Sequence, residues 1–149
     1  MTMKDAVLEM IAEAKEATSH LNTYSQDELE SIYASAYHLY TQGNYPKATD
    51  LFMQLTLSNP YEIMYWKGLA GSYQMQSMWE PSLHAWALCS LLNEADPDSH
   101  FHAAECLFSD NQREEALKAL ALAKGLCKEE DPLLAKINLL QELCLKEVH

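Results

Sequence analysis

His100, His102 and Cys106 are the side chains whose types and spacing come nearest to a reactive site. His102 and Cys106 stand one helical turn apart, so a helix would project both from one face. Zinc held there would need a third protein ligand and usually a fourth, and none lies close in sequence. A Cys–His nucleophile needs a thiol of lowered pKa and a further group that orients the base. Cys106 sits in an apolar stretch, which raises a thiol pKa, and no orienting group is visible. Gly68-Leu69-Ala70-Gly71 follows no strand and falls inside a helical pattern, so it is no phosphate loop. Glu114-Glu115 and Glu129-Glu130 read as solvated helix ends. Cys89, Cys106, Cys127 and Cys144 form no CxxC pair and read as reduced core residues. The expectation is no enzyme, no metal and no cofactor.

The elements that carry these residues repeat. Ala48, Ser82 and Ala116 are spaced by 34 residues, and Phe52, Trp86 and Leu120 follow at the same interval. Ala36, Ala70 and Ala104 keep the period, as do Leu39, Tyr73 and Leu107. Small residues at two fixed phases with large apolar ones between are the tetratricopeptide (TPR) pattern. Such a helix pair cannot bury its own apolar face, and stacked pairs form a concave surface suited to holding another polypeptide. His100 takes the phase of Ile32 and Trp66, an inter-repeat contact, while His102 takes a groove phase.

Composition agrees. The 149 residues are 48% hydrophobic and 21% charged, with only 4 Gly and 5 Pro, which favours long helices over turns and strands. A net charge of −12 repels phosphate backbones and anionic lipid, so neither nucleic acid nor stable membrane binding is expected. No apolar run reaches bilayer-spanning length. The stretch from Met1 to Glu9 mixes acids into its apolar residues, so no secretory signal is expected, and the cytosol is the expected compartment.

The expected fold is all-α: three tandem TPR hairpins forming a right-handed solenoid, with an N-terminal helix and a C-terminal capping helix, in one domain over 1–149. The N-terminal helix occupies 1–24, with Val7, Ile11, Ala14 and Leu21 on its apolar face and a break at Asn22-Thr23-Tyr24. Ser25 and Glu28 have the spacing of a capping box ahead of the first repeat. The repeats span 29–62, 63–96 and 97–130. The first turns at Gly43-Asn44, whereas the second turns at Gln76-Ser77 without a glycine. Pro81 falls in the first turn of its helix, where a missing donor matters little. Ser82 and Trp86 predict bulkier packing in the second repeat, and Asp96 is the expected N-cap of the third. Asp131-Pro132 opens the capping helix of 131–149, whose Leu133, Leu134, Ile137, Leu140, Leu143 and Cys144 are expected to seal the end of the array.

In TPR arrays the first helix of each pair lines the concave face. Here that face is expected to offer Tyr33, Tyr37 and Tyr40 with Glu30, then Met64, Lys67, Gly68, Gly71, Gln74 and Met75, then Asp98, Phe101, His102, Glu105 and Phe108. Lys67 is the one base against Glu30, Asp98 and Glu105, which disfavours capture of an acidic peptide. Aromatic rings, methionines and glycines suit an extended peptide with apolar anchors. Packing of Tyr33 and Tyr37 against the N-terminal helix is the alternative use of those rings.

The stretches Leu29-Glu30-Ser31-Ile32-Tyr33, Tyr40-Thr41-Gln42-Gly43-Asn44-Tyr45 and Phe101-His102-Ala103-Ala104-Glu105-Cys106-Leu107 resemble the class II chaperones of bacterial type III secretion. The resemblance runs through all three repeats. It implies a bacterial cytoplasmic, non-enzymatic chaperone that keeps hydrophobic translocators soluble and export-competent. It also implies that an extended translocator segment with Pro and Leu anchors occupies the groove. Tyr33, Tyr37, Tyr40 and Phe101 would then supply pockets, with Met64 and Met75 as adaptable walls. Self-association is implied through Val7, Leu8 and Ile11. The alternative is a structural TPR adaptor for gatekeeper or needle components of the secretion machine.

Overall fold

The computed structural model describes residues 2–18 and 24–146. Leu21 and the expected break at Asn22 and Thr23 lie outside them. The described residues form eight helices and no strand, and two compact units divide the chain between Gln76 and Ser77. The boundary falls inside the second repeat.

The first unit holds α1 (Met3–Thr18), α2 (Gln26–Thr41), α3 (Tyr45–Ser58) and α4 (Ile63–Met75). The capping box opens α2: Ser25 Oγ accepts from the Glu28 amide at 3.2 Å, and Glu28 Oε1 accepts from the Ser25 amide at 3.2 Å. Gly43, at φ 79, turns the chain into α3, which Asn44 caps. Ala36, Ala48 and Ala70 are wholly buried, so their helices approach closely around Phe52 and Leu55. Burying a ring of that size contributes about 1.5–3 kcal/mol. Gln76 Nε2 donates to Thr49 Oγ1 at 2.8 Å and to Ser72 O at 2.9 Å, tying the end of α4 to α3. Beside α3 lies α1, with the Lys15 ammonium 5.6 Å from the centre of the Tyr61 ring.

The second unit holds α5 (Trp79–Leu92), α6 (Pro97–Ser109), α7 (Arg113–Leu126) and α8 (Leu133–Leu145). Asp96 caps α6 by accepting from the Asp98 amide at 2.9 Å, and Asp131 accepts from the Leu133 amide at the same distance. The small phases are again closed: Ser82, Ala104 and Ala116 are fully buried. Ser82 Oγ lies 3.4 Å from Cys106 Sγ, so the hydroxyl that replaces a methyl has a partner. The core gathers Leu120, Ile137 and Cys144 around Ala104 and Ala116.

The capping helix departs from expectation. Of the residues expected to seal the array, Leu133, Ile137, Leu140 and Cys144 of α8 are buried and Leu134 is half-buried, but Leu143 is 40% exposed, and Leu139, outside that expectation, is 60% exposed. One face of α8 closes the core and another lines an open cavity.

Candidate peptide-binding surfaces

On α2, Tyr33, Tyr37 and Tyr40 form a continuous row of rings. Ring centres are 6.0 Å apart for Tyr33 and Tyr37, and 6.4 Å for Tyr37 and Tyr40. Tyr37 is 54% exposed, while Tyr33 and Tyr40 are half-buried. Tyr33 is held from behind by Phe52 at 6.2 Å and Tyr65 at 5.7 Å. Tyr45 meets Tyr40 edge-on at 5.3 Å. Burial pushes the phenol pKa values of Tyr33 and Tyr40 up, with neighbouring tyrosines adding to the effect. The rings therefore stay neutral and present apolar faces with hydroxyl donors at their tips.

From α4, Met64 and Met75 are largely exposed, and Lys67 and Gln74 are half-buried. Gly71 lies beside the row, where an added Cβ would stand 3.5 Å from Tyr40 Oη, an ordinary contact. Gly68 serves the core instead of the groove. A Cβ there would collide with the Phe52 ring, so the missing side chain makes room for it.

In the second unit, α6 and α8 enclose a cavity of about 420 Å³. Phe101, His102, Glu105 and Phe108 form one wall, and Lys136, Leu139, Leu140 and Leu143 the other. Phe101 is only 6% exposed, so it forms part of the cavity floor and does not project as a ring. His102 stacks on Trp86 at 4.7 Å and 22°, and its Nδ1 lies 2.6 Å from Glu105 Oε1.

The side chains of chemical interest are engaged in packing. Burial raises the Cys106 thiol pKa, which opposes nucleophilic use. The His100 imidazole pKa is lowered by burial, with Asp96 acting against the shift. Among the described residues no three His, Cys, Asp or Glu side chains gather as a metal site.

Sequence reasoning missed Tyr65, Tyr45, Trp86 and the α8 wall. Trp86 carries the signal of a buried phase, which hid its contact with His102, and Tyr65 shares its phase with Ser31 and Ser99, which mark no aromatic position. On α1, Val7, Leu8 and Ile11 are half-buried, and Met10 is 67% exposed.

No family model matches the chain. Low calcium response locus protein H of Yersinia pestis is 31% identical over 106 residues, covering 71% of this chain and 63% of that protein. The chain thus spans less than two thirds of that relative's length. The Yersinia enterocolitica type III secretion chaperone SycD, in complex with a peptide of the translocator YopD, has a TM-score of 0.77 at 26% identity, covering 83% of this chain and 96% of SycD. PcrH, known from Pseudomonas aeruginosa and solved with the chaperone-binding region of PopD, also has a TM-score of 0.77 at 26% identity, with coverage of 83% and 96%. By its helix hairpins and these likenesses, the chain belongs to the class II, or translocator, chaperone family of bacterial type III secretion.

Proposed function

We propose that the chain binds an extended apolar segment of a type III translocator and keeps that translocator soluble until export. The observation that carries this reading is the exposed tyrosine row of α2, in a chain similar to a chaperone solved with a translocator peptide. Tyr33, Tyr37 and Tyr40 take apolar anchors, Met64 and Met75 adjust to their shape, and Gly71 admits backbone beside Tyr40. Lys67 and Gln74 offer polar contacts to the peptide. In the second unit, the α6–α8 cavity takes an apolar anchor on its own account against Phe101 and Phe108, with His102 and Glu105 at its polar side. Each buried anchor contributes about 1.5–3 kcal/mol before ordering is subtracted.

Binding is stoichiometric and works by mass action. A captured translocator is withdrawn from the population that aggregates or inserts prematurely. Such a role belongs in the bacterial cytoplasm, where the cargo waits for export. Self-association uses Val7, Leu8 and Ile11 of α1, and Val7→Glu with Ile11→Glu lowers the sedimentation mass if that face joins two copies.

Co-expression with a translocator carrying long apolar segments tests the reading. The wild-type chain keeps the translocator in the supernatant. Tyr37→Ala reduces its recovery, and alanine at Tyr33, Tyr37 and Tyr40 together abolishes it, with helicity checked by circular dichroism. Undiminished recovery with the folded triple variant overturns the assignment.

A further inference from the structure

Arg113 is the single arginine of the sequence, and its side chain does unusual duty. It is the first residue of α7, yet its Nη1 reaches the far end of α8. There it donates to Leu143 O at 2.9 Å and Lys146 O at 3.1 Å, with Cys144 O at 3.5 Å. The last carbonyls of any helix lack partners within it. In α2 to α7 the backbone amide of the cap residue turns back onto a helix carbonyl. Lys146, which caps α8, is extended at φ −70 and ψ 131, and the guanidinium supplies the donors there. Its charge also suits the negative end of the helix dipole.

The same guanidinium lies 5.2 Å from the centre of the Phe108 ring. Phe108 and Leu143 are opposite walls of the α6–α8 cavity, and among the described residues α7 contributes no lining of its own. One side chain from outside the cavity thus grips both walls.

We propose that Arg113 is a positioning residue: by latching the last turn of α8 against Phe108 it fixes the width of the α6–α8 cavity, and so the size of apolar side chain the cavity accepts. The latch itself follows from the geometry of the free protein; its consequence for cargo rests on the proposed function. Lysine replaces it only in part: an ammonium has donors for the same carbonyls, but its single charged atom cannot hold them and also stand over the Phe108 ring as the longer, delocalised guanidinium does.

Hydrogen exchange and peptide binding test the two parts separately. In the free, full-length protein, Arg113→Ala speeds exchange of the amides at 140–145 by about tenfold or more while α2 to α4 keep their protection. Arg113→Lys falls between the two. The binding probe is the YopD segment carried by SycD, synthesised with Leu or Trp at each apolar anchor in turn. With a fixed cavity, wild type prefers Leu at one anchor, and Arg113→Ala lowers the Leu:Trp affinity ratio there by about tenfold, the order that a methylene-scale misfit is worth. A merely structural loss weakens all peptides alike and leaves the ratio unchanged, which overturns the cavity-width role. If wild type ignores every peptide, the groove reading fails and exchange alone decides the latch. Unaltered exchange at 140–145 in Arg113→Ala overturns it.

Discussion

Ser77 holds a backbone conformation that its side chain resists. Residues 43, 77 and 111 follow the last turns of α2, α4 and α6, and Gly43, Ser77 and Asn111 there have φ of 79, 59 and 61. Each of the three turns needs a left-handed residue; only the first supplies glycine. Left-handed backbone costs a residue with a Cβ about 1–2 kcal/mol, and a glycine loosens the unfolded chain by about 0.4–1 kcal/mol. Ser77→Gly should therefore stabilise by about 0.5–1 kcal/mol, read as a higher urea midpoint at unchanged slope. Asn111→Gly should gain less, since asparagine tolerates this region. An unchanged or lower midpoint for Ser77→Gly would count against strain at that turn. His100 gives a second test. Burial lowers its pKa below the ordinary 6.5 of a histidine, so between the folded and unfolded values the unfolded chain binds more protons. Stability linked to His100 is then complete above pH 6.5 and is lost as pH falls through the folded value. Thermal melts from pH 7.5 to 5 should show a smaller acid loss for His100→Gln than for wild type. Parallel curves would remove His100 as the source.

Helices were legible where one residue type does one job. The small phases Ala36, Ala70, Ala104, Ala48, Ser82 and Ala116 are all fully buried, because a larger residue there would push paired helices apart. The box of Ser25 and Glu28 was equally readable, being wholly local. What the period could not resolve was α8, where leucines occupy several faces and hydrophobicity alone cannot say which face is covered. Leu140 is 9% exposed and its neighbour Leu139 is 60% exposed. Arg113 was illegible for another reason: its partners are backbone carbonyls about thirty residues away, which no side-chain pattern marks. Phe101 shows the converse, a groove phase whose ring sinks into the core. The two faces of α8 make a paired prediction. Ile137→Ala empties a fully buried site and should cost about 2–4 kcal/mol of stability. Leu139→Ala should shift stability by less than about 0.5 kcal/mol yet weaken cargo-peptide binding roughly tenfold, or ~1.4 kcal/mol. Equal melting losses in both variants would mean that the Leu139 face of α8 is covered as well, which would remove it as an open wall.

Across the whole molecule, strong negative charge coexists with exposed apolar surface. The chain carries −12, while Tyr37, Met64, Met75, Leu139 and Leu143 all stay substantially exposed. Like charge keeps copies of a protein apart in solution, which lets such surface persist without precipitation. The same charge disfavours cationic capture of an acidic tail, for among the described residues the candidate surfaces offer Lys67 and Lys136 as their lysines. Binding should then be driven by apolar burial, whose marks are a negative heat-capacity change and weak dependence on salt. Charge-driven binding behaves oppositely, because exposed charges are screened beyond about 10 Å at 0.1 M salt. Calorimetry with a cognate translocator peptide from 50 to 500 mM sodium chloride should show Kd moving by less than about threefold, with heat capacity falling on binding. If affinity drops steeply with salt while the heat capacity stays flat, cargo is held by charge, and the aromatic row is scaffold.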